Sequence, residues 1–271
     1  MRVLKRQREL NQVNRLDFCY LCGRPFTPND AVSRDHLPPT CMFLKQDHDT
    51  PLILPVHTEC NAREHPTDEL LGQLIADTEG WPDKPGQRSA DGVAITVDGR
   101  TWGLSRSLNV YRFVNRCVRG FHAALYGQWL PADTRNAFHP PMRGAQIDPE
   151  SCRPTDRFHA ALLDDRLLEQ HAYLTEILKR NRVAKSTDSV VSRNGKCIYE
   201  CVWTREVDGN PACVFGLKIY NWERIGELAG YASRGCVGVF WSVAGRPRNA
   251  AEATDLQFRF PNTRALDPFT D

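Results

Sequence analysis

Four side chains that bind soft metal ions stand in two pairs near the start of the chain. Cys19 and Cys22 are separated by two residues, and His57 and Cys60 have the same spacing. Two such pairs form the Cys3His set that is typical of a tetrahedral structural zinc site. Gly23, directly after the first pair, can adopt the positive φ that a tight turn between ligands often needs. The spacing therefore predicts one structural zinc site.

The other cysteines are scattered through the chain without the spacing of a disulfide framework. These residues are Cys41, Cys117, Cys152, Cys197, Cys201, Cys213 and Cys236. Cys41 is an alternative metal ligand, although it lacks a paired neighbour. This pattern predicts a reduced, cytoplasmic protein with one metal site rather than a secreted disulfide scaffold.

Between the two pairs lie Asp35 and His36, and Asn61 directly follows the last ligand. Hydrolysis of a phosphodiester needs a base to deprotonate water and a cation to stabilise charge on the phosphoryl and leaving oxygens. The imidazole of His36 titrates near neutral pH and suits the first task. Asp35 and Asn61 offer oxygen ligands that suit Mg²⁺ or Mn²⁺. A cation held by only two protein groups keeps positions open for water and phosphate.

The prolines at 38 and 39 exclude a helix around the Asp-His pair. We therefore expect Asp35 and His36 on a strand or loop, with their side chains pointing apart. The apolar residues 52–56 predict a second strand. From Thr58 the pattern favours a helix that Pro66 ends, with the next helix capped at residues 67–69.

In this order and spacing, Cys-x-x-Cys, Asp-His-x-x-Pro and the closing Cys-Asn resemble the HNH endonuclease family, whose catalytic unit is a ββα-metal fold. The resemblance covers residues 17–66. It implies that His36 is the general base and that Asp35 and Asn61 bind the catalytic cation. It also implies a structural zinc on Cys19, Cys22, His57 and Cys60.

The chain departs from the family pattern at the second ligand pair and just before it. His57 stands where the family has a cysteine, a change that zinc tolerates well. Leu52 stands where the family has its middle Asn, and the nearest polar residues are Asp49 and Thr50. If the protein is inactive, we expect the reason at Leu52.

A third departure follows the closing Asn. The family often has Lys or Arg three residues after it, and this chain has Glu64. Arg63 or His65 could substitute, and His65, one turn after Asn61, could face the metal, although a structural role at a helix end suits it better.

Residues 1–16 are basic and carry apolar residues at roughly helical spacing. They predict either a basic arm that touches phosphate or a solvated helix leading into the metal module. The helix predicted at 105–126 carries four arginines, Arg106, Arg112, Arg116 and Arg119. They predict either a phosphate-facing stripe or a solvated helix face.

Beyond a Gly- and Pro-rich loop at 80–87, the pattern predicts an α+β region. Residues 93–102 predict a hairpin with an Asp-Gly turn. Residues 105–126 and 158–180 predict long helices, residues 132–155 a loop and 222–231 a short helix. Residues 188–260 are β-rich, with predicted strands at 189–191, 196–205, 212–219 and 237–243.

The predicted organisation is an HNH-type ββα-metal module at 1–80 and an α+β region of unknown role at 81–271. A chain of 271 residues is long enough for this. Its net charge of +2 gives no overall basic signature, so nucleic-acid contact would come from local patches. No apolar run approaches the roughly 18 residues of a membrane span.

These observations predict a metal-dependent endonuclease that hydrolyses nucleic acid, DNA rather than RNA. The remainder of the chain is similar to uncharacterised bacterial HNH proteins that are often suspected of roles in bacterial defence or in mobile elements. Two alternatives stay open: a zinc-stabilised nucleic-acid-binding or interaction module without catalysis, and a purely structural zinc domain.

Overall fold

A computed structural model of the protein describes residues 3–5, 7–9, 15–44, 47, 52–79, 92–97, 100–105, 110–131, 134–139, 188–192, 194–207, 210–219, 236–241 and 254–257. These residues form a mixture of helices and strands, in agreement with the predicted α+β class. The predicted helices at 158–180 and 222–231 lie outside the described residues.

The largest element is a sheet of seven strands, and these are β1 (Val3–Leu4), β6 (Arg135–His139), β7 (Asp188–Val191), β8 (Cys197–Val207), β9 (Asn210–Ile219), β10 (Cys236–Trp241) and β11 (Thr254–Gln257). The order is β1-β7-β8-β9-β10-β6, and β11 pairs with β8. The four strands predicted between residues 189 and 243 are confirmed. Gly195, with φ of +69°, lies in the turn between β7 and β8, where a residue without Cβ is favoured.

Residues 132–155 were predicted to form a loop, and this prediction is wrong for Arg135–His139, which form β6. Its five residues pair antiparallel with β10, from His139 opposite Val237 to Arg135 opposite Trp241. A sheet edge supplies backbone partners that the local composition does not reveal, so tertiary pairing overrides a weak strand propensity.

The Asp-His pair lies on a two-stranded antiparallel hairpin, as expected. Its strands are β2 (Val32–Leu37) and β3 (Leu52–His57). A 3-10 turn, Thr40–Met42, follows β2. Asp35 pairs with Leu54 and His36 with Ile53. Because successive residues of a strand point to opposite faces, these two side chains diverge.

In the part of the chain that the structure describes, three helices follow β3: α1 (Thr58–Ala62), α2 (His65–Glu79) and α3 (Val110–Tyr126). The prediction that Pro66 ends a helix is wrong. Pro66 is the second residue of α2, and in the first turn of a helix its missing N–H has no intrahelical partner to lose.

The hairpin predicted at 93–102 is confirmed as β4 (Gly92–Val97) and β5 (Arg100–Ser105), which pair antiparallel. The predicted helix start at residue 105 is wrong. Ser105 is the last residue of β5 and pairs with Gly92, so the backbone there is extended, and α3 begins at Val110.

Among the described N-terminal residues, Val3 and Leu4 form β1, which pairs parallel with β7 in the main sheet. Farther along, the side-chain amide of Gln7 receives a bond of 2.6 Å from the N–H of Ile53 and donates one of 2.9 Å to its carbonyl. This amide therefore takes the place of a neighbouring strand at the outer edge of β3.

Within the described residues, one hydrophobic cluster includes Leu4, Tyr20 and Leu37 as well as Phe121 and Phe215. The division at residue 80 stays a prediction, and packing across it is continuous. None of the described helices combines the length and the apolar character needed to cross a membrane.

Candidate metal centre and candidate catalytic site

The predicted Cys3His set is brought together. One ligand atom from each of Cys19, Cys22, His57 and Cys60 lies within 4.8 Å of the others. Tetrahedral ligands of one zinc ion lie about this far apart or less. These four side chains, called the Cys/His cluster below, could therefore hold a metal ion, and the ligand types are compatible with structural zinc.

Local backbone bonds place the first two ligands. The N–H of Cys19 donates to the carbonyl of Arg24 over 2.9 Å, and the N–H of Gly23 donates to the carbonyl of Cys19 over 2.7 Å. Gly23 has φ of +78°, as predicted. A Cβ there would also lie 2.4 Å from the ring of Trp129, so the residue is constrained by packing as well as by its backbone.

The other two ligands are fixed by the junction of β3 and α1. His57 ends β3 and is the N-cap residue of α1, while Cys60 lies within α1. The cluster therefore joins the turn after Cys19 to the start of that helix. Among the described residues, the Cys/His cluster does not include Cys41, whose thiol donates a hydrogen bond to the carbonyl of Asp68 over 3.0 Å.

His57 presents one ring nitrogen to the sulfur atoms and the other to a carboxylate. Its Nδ1 lies 3.4 Å from Sγ of Cys22, and its Nε2 lies 3.6 Å from Oδ2 of Asp30. Asp30 is itself held by the N–H and hydroxyl of Thr27 over 2.7 and 2.8 Å. A carboxylate on the far side of a ligating imidazole is the usual outer partner of a zinc-bound histidine.

The pKa values of the three thiols in the cluster are shifted in different directions. Burial raises the pKa of Cys60 to about 12, and burial also raises the pKa of Cys19. Burial acts on Cys22 in the same direction, but hydrogen bonds from Arg24 and His57 outweigh it and lower its pKa to about 6. Metal ligation requires thiolates, so a bound cation would supply the charge that stabilises all three.

Asp35 lies on β2, and its side chain is buried. It belongs to a set of charged and polar residues, here called the arginine network: Tyr20, Asp35, Asp68 and Arg116. Arg116 Nη2 donates to Oδ1 of Asp35 and its Nε donates to Oδ2 over 3.1 Å. The hydroxyl of Tyr20 donates to the same Oδ2. Arg116 Nη1 reaches Oδ1 of Asp68 over 2.5 Å.

The charges of the arginine network depend on one another. Burial disfavours the charged guanidinium, but Tyr20, Asp35 and Asp68 outweigh it and raise the pKa of Arg116. Burial, followed by the nearby Asp35, raises the pKa of Tyr20, so its hydroxyl stays protonated and donates. Burial raises the pKa of Asp68 to about 6, although Arg116 opposes that change.

Asn61 lies on the helix α1 directly against β2. Its Nδ2 donates to the hydroxyl of Ser33 over 3.2 Å and approaches the carbonyl of Arg34 at 3.5 Å. Ser33 and Asp35 are two residues apart on one strand and share a face. Asn61 therefore approaches the face of β2 that carries Asp35, while the half-buried His36 belongs to the opposite face.

The arginines of α3 that the structure describes bond to other parts of the chain. Arg112 donates to both carboxylate oxygens of Glu64, at 3.0 to 3.2 Å, and to the carbonyl of Arg63 at 3.3 Å. Arg119 donates to the carbonyl of Leu21 over 2.7 Å. With Arg116 they bind the predicted module. Arg106 lies outside the described residues.

The positions that depart from the family pattern have identifiable contacts. Leu52 is fully buried and pairs with Leu37, so packing occupies the place of the middle Asn. Glu64 is the partner of Arg112, and His65 is exposed at the start of α2. Asp49 and Thr50 lie outside the described residues.

Asp35, predicted as a ligand of a divalent cation, instead accepts hydrogen bonds from the guanidinium of Arg116 and the hydroxyl of Tyr20. The amide of Asn61 lies against the same strand face. Sequence reasoning missed Arg116 and Tyr20 as partners of Asp35, and Asp68 as a second partner of Arg116. The only available signal was the arginine spacing on α3, which does not reveal what the helix faces.

No protein-family model matches this chain, and comparison with curated proteins and with solved structures found no significant match.

Proposed function

We propose that residues 17–79 are an HNH-type module that hydrolyses phosphodiester bonds of nucleic acid, DNA rather than RNA. One observation carries the proposal: the Cys/His cluster fastens the start of α1 while Asn61, on that helix, bonds to β2 two residues before Asp35. A metal-binding knuckle, a hairpin and a short helix, in this order along the chain, are the parts that such a nuclease requires.

In this proposal the Cys/His cluster holds a structural zinc, and His36 is the general base. A neutral imidazole can accept a proton from water. Arg34 is exposed and shares the strand face of His36, which supports phosphate contact there. Asp35 and Asn61 would hold Mg²⁺ or Mn²⁺, which would stabilise charge on the phosphoryl oxygens.

A second candidate function is nucleic-acid or partner binding without hydrolysis. The observation that favours it is the ion pair of Asp35 with Arg116, in which both side chains are 3% exposed. An aspartate whose two oxygens accept from a buried guanidinium has no free position for a cation. In this second candidate, the arginine network is a permanent joint between β2 and α3.

A cleavage assay tests the first candidate. The zinc-loaded protein is incubated with supercoiled plasmid, linear DNA and RNA in Mn²⁺ or Mg²⁺, beside the His36→Ala variant. We expect the wild type to nick or cut DNA and the variant to lose at least about a hundredfold in rate, the usual contribution of a general base. Equal behaviour of the two proteins would contradict hydrolysis at this site.

Asn61→Ala is a matched second variant, since its bond to Ser33 is on the partly exposed side of α1. We expect it to cut more slowly while retaining its zinc. Retained DNA binding, measured by fluorescence anisotropy with no cleavage by any of the proteins, would favour the second candidate.

A further inference from the structure

Arg8, Arg34 and Arg63 have exposed side chains that bond to no other described residue. In this they differ from the described arginines of α3, each of which donates to a carboxylate or a carbonyl. An exposed guanidinium without a partner can bind an anion without first breaking an ion pair. These three positive charges are therefore available for a contact outside the chain.

Helix α1 places Arg63 beside the strand that carries Arg34. The side-chain amide of Asn61 approaches the carbonyl of Arg34 at 3.5 Å, so α1 lies alongside β2. Arg63 is the C-cap residue of the same helix, two residues after Asn61. The two exposed arginines therefore belong to neighbouring elements.

The N-terminal segment places Arg8 on the other side of the hairpin. The amide of Gln7 bonds to the backbone N–H and carbonyl of Ile53 at the outer edge of β3, and Arg8 follows Gln7 directly. Ile53 is the residue of β3 that pairs with His36. His36 therefore lies between the element that carries Arg8 and the element that carries Arg63.

One face of the hairpin combines Arg34 and His36 with apolar residues and carries no acid. Directly paired residues of antiparallel strands share a face. This face, called the outer face below, consists of Val32, Arg34 and His36 of β2 and their partners His57, Pro55 and Ile53 of β3. Arg34 and Val32 are exposed on it. Because the only fully charged side chain of the outer face is positive, its charge is complementary to that of an anionic partner.

We propose that Arg8, Arg34 and Arg63 bind backbone phosphates of a nucleic acid that lies across the outer face, over His36. The proposal rests on the proposed function and names the groups that hold its substrate. It requires nothing of Asp35, which belongs to the opposite face of β2. Phosphate contacts carry no base information, so this grip is independent of sequence.

The test measures binding of a fluorescent DNA duplex to the zinc-loaded protein by anisotropy, over a series of salt concentrations and without added Mg²⁺ or Mn²⁺. Each phosphate contact contributes about 0.9 to the slope of log affinity against log salt. We expect each of the variants Arg8→Gln, Arg34→Gln and Arg63→Gln to lower the slope by about this amount. At about 0.1 M salt, each should weaken binding on the order of tenfold. A second duplex of unrelated sequence should give the same values.

Lys196→Gln is the matched control, because it changes the net charge by the same amount outside the hairpin. Lys196 pairs with Asp47 and directly precedes β8, so its loss should leave the slope unchanged. Arg34→Lys keeps the positive charge and should keep the slope, whereas a structural role of Arg34 would not give this rescue. Circular dichroism and zinc content verify that each variant is folded.

The proposal is contradicted if the wild type binds neither duplex, or if none of the three glutamine variants lowers the slope. An acidic protein as the true partner of the outer face would give the second result. Failure of the nuclease proposal is a separate outcome. If the variants lose affinity and slope but no protein cleaves nucleic acid, the phosphate contacts stand and hydrolysis falls. If the wild type cleaves DNA while all three variants keep the slope, hydrolysis stands and the phosphate contacts fall.

Discussion

The Cys/His cluster and the arginine network are two joints of the same module, and they differ in what holds them. The cluster joins the turn after Cys19 to α1 through side chains that could bind a metal ion. The network joins β2 to α3 through Asp35 and Arg116, which are 81 residues apart in the chain. One joint is specified by short spacings, and the other only by tertiary packing.

This difference explains how far the sequence could predict the site. Two Cys- or His-x-x-Cys pairs have few uses other than metal binding, so the spacing predicted that these four residues lie together, and the structure brings them together. Gly23 followed from the same logic. The chemistry of Asp35, by contrast, depends on which helix packs against β2, and nothing near Asp35 in the sequence identifies α3.

The same distinction holds for the fold. The hairpin β4–β5 and the strands β7 to β10 were predicted because turn residues and β-branched or aromatic runs are local signals. Strand β6, the pairing of β1 with β7 and the burial of Arg116 on α3 were missed. Each of these depends on a partner distant in sequence: β10, β7 and the acids of the module.

Removing a ligand from the Cys/His cluster should have the largest effect. For Cys60→Ser we expect loss of the metal and several kcal/mol of unfolding free energy, because binding of a structural metal contributes directly to folding. Zinc content and urea unfolding check this. Cys41→Ser is the control, since Cys41 bonds to a carbonyl outside the cluster and should keep both zinc and stability.

Zinc retained in full by a folded Cys60→Ser protein would show that the cluster is not the binding site. Loss of zinc in Cys41→Ser would instead restore Cys41 as a ligand.

Breaking the arginine network should come next. Arg116→Met should cost about 3–5 kcal/mol of unfolding free energy, because it leaves the buried Asp35 without its counter-charge. Glu59→Gln is the contrasting variant: its ion pair with Arg24 has side chains 60% and 59% exposed, and an exposed pair contributes only about 0–1 kcal/mol. Similar costs for the two variants, measured by urea unfolding, would show that burial does not decide the strength of the network.

Packing between α3 and β2 offers a third comparison. A Cβ at Gly120 would lie 2.2 Å from Cδ2 of Leu37, so Gly120→Ala should cost about 1–3 kcal/mol through overpacking of this joint. Gly195→Ala is unsuitable as its control because φ there is positive. Leu37→Ala in the Gly120→Ala background tests the cause, since it should recover part of the cost of the glycine change. If the two substitutions show no coupling in this double-mutant cycle, the cost of Gly120→Ala does not arise from its contact with Leu37.

The smallest expected effect is a pH dependence of the network. Burial raises the pKa of Asp68 from its ordinary value of 3.8 to about 6. Between these pH values, the folded protein holds a proton on Asp68 that the unfolded chain has released. The contribution of Asp68 to the free energy of unfolding therefore rises as pH falls from about 7 to 4. Asp68→Asn should remove that contribution.

Urea unfolding of wild type and Asp68→Asn at a series of pH values checks the sign. The difference in unfolding free energy should shift in favour of the wild type as pH falls through about 6. A difference that is constant from pH 4 to 7 would mean that Asp68 keeps an ordinary pKa in the folded protein.

The central claim, that a metal ion held by Cys19, Cys22, His57 and Cys60 organises the module, is tested most directly by zinc K-edge X-ray absorption of the purified wild-type protein. We predict one zinc per chain with three sulfur ligands at about 2.3 Å and one nitrogen ligand at about 2.0 Å. A protein that folds without stoichiometric metal, or a zinc shell of oxygen and nitrogen alone, would contradict it.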